Sequence, residues 1–343
     1  MRFPEFTDEW TETNIGSILS IGNGKDYKDL GDGNIPVFGT GGYMTSVKDY
    51  LMDGESVFIG RKGTINKPSY YKGKFWTVDT LFYTHEFIGA VPRFVLYLFE
   101  NIDWLKYNEA SGVPSLSKST IEKIKINIPK TIEQKKISAF ISLLDRRIEV
   151  QSGLINKLES LIGGIGQRVF SQFNSFVKLG NVAKITNGNS DVQDAIEIYE
   201  SGLYPFYDRS DVIKYLNTYY LDKEAIIYAG EGSEFFPRYH NGKFALHQRC
   251  YAIFDFKEEY LTKFIYYYMF TLNGYFVRNS VGSTVPSLRM GTFEKVNIPK
   301  VPVKQQLYVI KVFDCLHKKL NQAKQTKRLF EMQKQYLLQQ MFI

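Results

Sequence analysis

The chain repeats itself, and a duplicated sequence restricts the fold to two copies of one unit. Val113-Pro114-Ser115-Leu116 returns as Val285-Pro286-Ser287-Leu288, 172 positions later. Asn127-Ile128-Pro129-Lys130 returns as Asn297-Ile298-Pro299-Lys300 at 170, and Gly73-Lys74-Phe75 as Gly242-Lys243-Phe244 at 169. Gln167-Arg168-Val169-Phe170 has its counterpart in Gln339-Gln340-Met341-Phe342, again at 172. Chance produces one short match of this kind. Four in the same order at nearly one offset are two diverged copies separated by small indels.

Each copy divides into two parts. Residues 1–130 and 173–302 are rich in Gly, Tyr, Phe and Asn, with short β-prone runs such as Ser56-Val57-Phe58-Ile59 and Ala225-Ile226-Ile227-Tyr228. Turn signals such as Asn23-Gly24, Asp53-Gly54 and Asn241-Gly242 separate such runs. The pattern predicts two mainly β domains with a few helices, placed at Val91–Tyr107 and Glu258–Arg278.

Residues 131–172 and 303–343 read as long helices. Ile137, Ile141, Leu144, Ile148, Gln151, Ile155, Leu158, Ile162, Ile165 and Val169 alternate at spacings of four and three. Their counterparts 172 positions on are Val309, Phe313, Leu316, Leu320, Ala323, Lys327, Phe330, Lys334, Leu337 and Met341. A seam repeating every 3.5 residues or so over more than four heptads predicts a coiled coil. The expected class is therefore α+β: two mainly β domains separated by two long helices, paired antiparallel about a pseudo-twofold repeat. At ~1.5 Å per residue, about 35 residues make a spacer of roughly 50 Å. Pro129 and Pro302 place the helix starts, and Gly163, Gly164 and Gly166 predict early fraying of the first helix.

Composition narrows the function classes. Among 343 residues, 44% are hydrophobic and 23% charged, as in a folded chain. The net charge of +7 suits a polyanionic partner. Two cysteines, Cys250 and Cys315, cannot build a disulfide framework. The start, MRFPEFTDEW, lacks the apolar core of a signal peptide, and no apolar run is long enough to cross a bilayer. A cytoplasmic protein without a membrane partner is expected.

Signatures of catalysis are missing. None of the 11 prolines adjoins another, which excludes the Asp/Asn-Pro-Pro-Tyr/Phe motif of adenine methyltransferases. No Gly-Lys precedes Ser or Thr, so there is no phosphate loop. Phe38-Gly39-Thr40-Gly41-Gly42 reads as a tight turn rather than a cofactor cradle. Glu133-Gln134-Lys135 fits a nuclease Glu-x-Lys pattern, but at a helix start the glutamate complements the dipole. His240, His247 and Cys250 are near in sequence without paired metal-ligand spacing. We expect no catalytic residue, no metal and no cofactor.

Basic and aromatic residues mark where nucleic acid would be held. Between Arg61 and Lys74 lie Arg61, Lys62, Lys67, Lys72 and Lys74, interleaved with Tyr70 and Tyr71 and without an acid. The corresponding stretch of the second copy, Arg238 to Arg249, carries Arg238, Tyr239, His240, Lys243, Gln248 and Arg249, also without an acid. Lysine and arginine neutralise phosphates, while Arg, Gln and His also read base edges. Thr40-Gly41-Gly42-Tyr43 and its counterpart Asp208-Arg209-Ser210 follow similar strands as loops. Ser115 and Ser287 lie in hydroxyl-rich segments suited to phosphate contact or to helix capping. From Lys304 to Gln340 there are eight Lys/Arg against two acids, which serve DNA, partner subunits or solubility.

Phe6-Thr7-Asp8-Glu9-Trp10 followed by Asn14-Ile15-Gly16-Ser17-Ile18 resembles the start of a repeat in specificity (S) subunits of Type I restriction–modification enzymes. Ile128-Pro129-Lys130-Thr131-Ile132-Glu133-Gln134-Lys135-Lys136-Ile137 resembles that family's joint into its long helix. The second joint has Lys304 where glutamate is expected. The resemblance implies target-recognition domains at 1–130 and 173–302, and spacer helices at 131–172 and 303–343. It implies a DNA-reading adaptor in which each domain reads one half of a bipartite double-stranded site and the helices fix the gap. Two modification subunits carrying S-adenosylmethionine and methylating adenine would dock on it, joined by restriction subunits using ATP and Mg. A self-contained DNA-modifying enzyme and a glycan- or protein-binding module are the alternatives. Purified protein that cuts or methylates alone would favour the first.

Overall fold

A computed structural model describes residues 2–210 and 212–342. The chain forms two compact units, one of residues 1–152 with 325–343, the other of residues 153–324.

The first unit holds β1 (Thr11–Asn14), α1 (Ile15–Ile18), β2 (Ser20–Asn23), β3 (Asp32–Gly39), β4 (Gly42–Val47), β5 (Met52–Gly60), β6 (Ser69–Thr77) and β7 (Leu81–His85). α2 (Pro92–Asn101), α3 (Lys118–Lys123) and β8 (Lys125–Ile128) follow, leading into α4 (Thr131–Phe170). Six strands make one sheet in the order β2-β7-β5-β6-β3-β4, with β3 and β6 its parallel pair, and β1 pairs with β8 apart from it.

The second unit repeats that plan. It contains β9 (Phe176–Lys178), β10 (Lys184–Asn187), β11 (Tyr204–Tyr207), β12 (Lys214–Leu216), β13 (Leu221–Ala229), β14 (Arg238–Leu246) and β15 (Cys250–Phe254). α5 (Thr262–Phe270), α6 (Asn273–Arg278), α7 (Met290–Glu294), β16 (Asn297–Pro299) and α8 (Val303–Met341) complete the chain order. Its sheet runs β10-β15-β13-β14-β11-β12, with β11 and β14 parallel and β9 pairing β16. The two orders are superimposable strand by strand.

The repeated motifs are now explained by packing. Leu116 and Leu288 are buried, and their amides donate to the carbonyls of Arg61 and Gly230, stapling each Val-Pro-Ser-Leu segment onto the loop after β5 or β13. In Gly-Lys-Phe, Gly73 and Gly242 sit at φ +125° and +117°, where a side chain would be strained, and Phe75 and Phe244 are fully buried.

Both long helices pair within each unit. In the first, Ile137, Ile141 and Leu144 of α4 share a core with Leu337, Leu338 and Met341 of α8. In the second, Ile155 and Ile162 of α4 share one with Val309, Phe313, Leu320 and Ala323 of α8. The early part of one helix thus meets the late part of the other: the pairing is antiparallel. Every one of the twenty seam positions is at least partly buried.

A glutamine fixes each helix start. Gln134, fully buried, donates to the Gly89 and Pro129 carbonyls at 2.9 and 2.8 Å and accepts from the Val91 amide at 2.8 Å. Gln306, equally buried, donates to Glu259 and Val301 and accepts from the Leu261 amide at 2.9 Å. The same residue therefore ties strand end, long helix and domain helix in both units. It also sets the register. Gln305, and not Lys304, is the counterpart of Glu133, whose carboxylate is buried against Arg2 and Trp10.

Three helix expectations need correction. The helix expected over Val91–Tyr107 stops at Asn101, and Trp104–Tyr107 forms a separate 3-10 turn. Glu258–Arg278 is two helices, α5 and α6, broken at Thr271-Leu272. α4 does not fray at Gly163, Gly164 and Gly166 but runs on to Phe170. Glycine costs about 1 kcal/mol each against alanine, while a buried Ile or Phe contributes about 1.5–3 kcal/mol, and Ile162 and Phe170 flank the glycines.

Candidate nucleic-acid interface

In the first unit several expected residues converge. Thr40 and Gly41 form the turn between β3 and β4, where Gly39 pairs with Gly42 and Gly42 takes φ +101°. This is a hairpin turn. Beside it, the Gly63 amide donates to the Pro114 carbonyl, and Lys62 bridges Ser115. A Cβ on Gly63 would lie 3.6 Å from the Thr40 hydroxyl, so the loops touch closely. Thr40, Gly41, Gly42, Tyr43, Arg61, Lys62 and Ser115 thus surround one surface, with Tyr43 64% exposed.

The other basic residues of this stretch lie along β6 and its approach. Lys67, Lys72 and Lys74 are exposed; Lys72 is 3.9 Å from Glu55, and Lys74 lies over the Tyr50 ring at 4.7 Å. Tyr70 is turned inward, its hydroxyl donating to Glu55 and its ring under the Arg93 guanidinium. Burial, with Glu55 adding to it, pushes the Tyr70 hydroxyl up to about 12. Tyr70 is therefore a neutral packing residue.

The second unit offers a different set at the equivalent place. Glu231 bridges Ser287 and the Gly232 amide donates to the Pro286 carbonyl, so Glu231 stands where Lys62 stands. The acid-free stretch Arg238–Arg249 is accordingly not the structural counterpart of Arg61–Lys74; residues 230–243 are. β5 and β13 meet β6 and β14 in the same register, Phe58 facing Ser69 and Ile227 facing Arg238. Charge pairs Arg61–Lys74 with Arg238–Arg249, whereas strand register pairs it with residues 230–243.

Arg238 points into the unit. Its guanidinium donates to the carbonyls of Asp208 and Ser210 and lies over the Tyr207 ring. Tyr239 donates to Glu224 at 2.6 Å, and the His240 Nδ1 is 3.0 Å from the Tyr207 hydroxyl. Burial holds His240 below its usual value, so its ring is neutral at pH 7. Lys243 is exposed over Tyr219 and Tyr204. Arg209 and Gln248 are exposed, and Arg249 is exposed but paired with Glu231 at 2.8 Å. His247 Nδ1 accepts from the Arg249 amide, a contact that sequence reading did not anticipate.

Asp208 organises this loop. It is buried, pairs with Lys214 at 2.9 Å and accepts from the Ser210 amide at 2.7 Å. Burial alone would raise its carboxyl, but Lys214 and Ser210 outweigh that and hold it below the usual range. A lowered folded value means stability present above the unfolded value, about 3.9, and lost as pH falls through the folded one. Asp208→Asn is expected to destabilise the second unit at pH 7, and the difference from wild type should shrink as pH drops below ~4 and vanish only below the folded value. Urea unfolding at several pH values checks this; a gap that persists at low pH refutes it.

Ser115 does not cap α3; Ser117 does, accepting from the Thr120 amide. Cys250 is buried and Cys315 exposed. Among the described residues no helix is long and apolar enough to cross a membrane.

The sequence profile described as the Type I restriction modification DNA specificity domain matches residues 7–160 and 173–329. The Type I restriction enzyme EcoDI specificity subunit of Escherichia coli is 29% identical over 155 residues, 45% of this chain. That match spans 33% of the relative's length. The Type I restriction–modification S subunit from M. genitalium superposes with a TM-score of 0.72 at 16% identity, covering 100% of this chain and 99% of that one. A chain from a structural study of complex assembly and conformational transition in the type I system gives 0.53 at 12% identity, covering 98% of both. At such identities the structures establish the fold.

Proposed function

Because the chain belongs to the Type I restriction–modification DNA specificity family, we propose that it reads a bipartite double-stranded DNA site, one half with each unit. The observation that carries this is the same surface built twice from different side chains. Thr40, Arg61, Lys62 and Ser115 offer one pattern; at the equivalent positions stand Arg209, Gly230, Glu231 and Ser287, with Arg249 paired to Glu231 beside them. One backbone scaffold with two side-chain sets specifies two unlike half-sites. Phosphates bind the exposed lysines, and base edges are read by Arg, Gln and the hydroxyl-bearing turns.

The chain itself performs no chemistry in this reading and carries no cofactor. Two modification subunits, bringing S-adenosylmethionine, methylate adenine in the site it selects, and restriction subunits bring ATP and Mg. The complex works in the cytoplasm. The paired helices set the gap between half-sites.

Co-expression with a modification subunit, followed by mapping of methylated adenines, tests the reading; a single split motif is expected. Exchanging Arg61–Lys74 should alter one half of that motif only, and a change in both halves would refute modular reading. Adding one heptad to each helix, between 152 and 153 and between 324 and 325, should lengthen the preferred gap by about three base pairs, from ~1.5 Å per helical residue. An unchanged gap removes the spacer role.

A further inference from the structure

The two units carry a groove at the same place, and the second unit leaves more of it open. In the first unit a groove of about 420 Å³ is lined by Lys67, Glu100, Asp145, Lys334, Gln335 and Leu338. Lys334 narrows it from one side, its ammonium 2.7 Å from both Glu100 and Asp145 and 5.3 Å from the centre of the Tyr97 ring.

In the second unit the equivalent groove measures about 740 Å³. The equivalence is fixed by the glutamine clamps and by a shared aromatic contact: Phe342 packs on Phe94 in one unit as Phe170 packs on Phe264 in the other. On that register Lys334 becomes Ile162, Gln335 becomes Gly163 and Leu338 becomes Gly166. Lys67, Glu100 and Asp145 become Phe236, Phe270 and His317. The internal ammonium is gone, two glycines have removed the side chains beside it, and aromatic rings have replaced the acids.

Those rings form a wall. Phe236 and Phe270 lie 5.1 Å apart, Tyr267 and His317 5.2 Å, and Tyr266 and Phe270 6.1 Å. Glu234, exposed, stands at the lip, whereas Glu159 is already paired with Lys324 at 2.7 Å. Burial keeps the His317 ring below its usual value and hence uncharged at pH 7. Aromatic faces with a carboxylate at the rim attract a cation.

We propose that this groove of the second unit is a docking site for a basic side chain, arginine or lysine, of a partner protein, taking the place that the Lys334 ammonium has in the first unit. The sister groove argues for that occupant, since it holds an ammonium over the tyrosine equivalent to Tyr267. The proposal does not depend on DNA reading, and DNA binding serves as an independent control.

The test titrates the full chain, labelled with fluorotyrosine, with acetyl-Ala-Ala-Arg-Ala-Ala-amide and with the same peptide carrying uncharged citrulline. Tyr266→Phe and Tyr267→Phe assign the two resonances. The arginine peptide should shift both at low-millimolar concentration and bind at least tenfold more tightly than the citrulline peptide. Glu234→Gln and Phe236→Ala, both at exposed positions, should each weaken it several-fold. Gly163→Gln, whose Cβ meets open space, should weaken it too by restoring the side chain that Gln335 places in the first unit's groove, while leaving duplex binding intact. Equal binding of the citrulline peptide overturns the cation, and unshifted tyrosines up to 10 mM peptide overturn the site.

Discussion

Replacing Gln134 by leucine is expected to lower the stability of the first unit by about 3–4 kcal/mol, since each stranded buried polar group costs about 1–3 kcal/mol. The side chain is fully buried and serves three backbone groups at once: two carbonyls and the amide that opens α2. Leucine fills a similar space but leaves all three without partners. Gln134→Glu fares no better, because a carboxylate accepts and cannot donate to the Gly89 and Pro129 carbonyls. The mirror substitution, Gln306→Leu, should cost the second unit a similar amount through Glu259, Val301 and Leu261. Urea unfolding followed by hydrogen exchange separates the two units. A loss below 1 kcal/mol at both positions would show that the clamps do not hold the joints.

Lys62→Glu should weaken binding to the cognate duplex by roughly 10- to 100-fold at low salt and flatten the salt dependence by about one to two units of slope, since each phosphate neutralised contributes about 0.9. The substitution gives the first unit the residue that the second has at Glu231. The reverse, Glu231→Lys, adds a cation and releases Arg249 from its ion pair, so it should tighten binding, steepen the salt dependence and relax discrimination at that half-site. Fluorescence anisotropy from 50 to 200 mM salt measures both. Unchanged affinity for Lys62→Glu would remove the Thr40–Lys62–Ser115 surface from the interface.

The duplication, the class of each part and the helix seams were legible because they rest on local periodicity. A 3.5-residue apolar repeat and short β-prone runs between turn residues need no long-range information. The exposed residues of the candidate interface were legible in part. Lys62 and Ser115 come together through a bridge that sequence spacing could not reveal. Arg238, Tyr239 and Tyr70 have the residue types of surface contacts, yet their polar groups are tied to carbonyls and carboxylates of their own unit. Charge alone cannot tell a lysine in solvent from an arginine bonded to its own loop.

By itself the sequence determined that one unit is built twice, each with a β-rich body and a helix whose apolar stripe needs a partner. Only the tertiary structure decided that Gln134 and Gln306 are the joints, that Glu231 stands in the place of Lys62, and that α4 survives its glycines. The reason is physical. Periodicity is encoded between near neighbours along the chain, whereas hydrogen-bond partners, strand register and the groove widened by Gly163 and Gly166 arise between segments that only folding brings together.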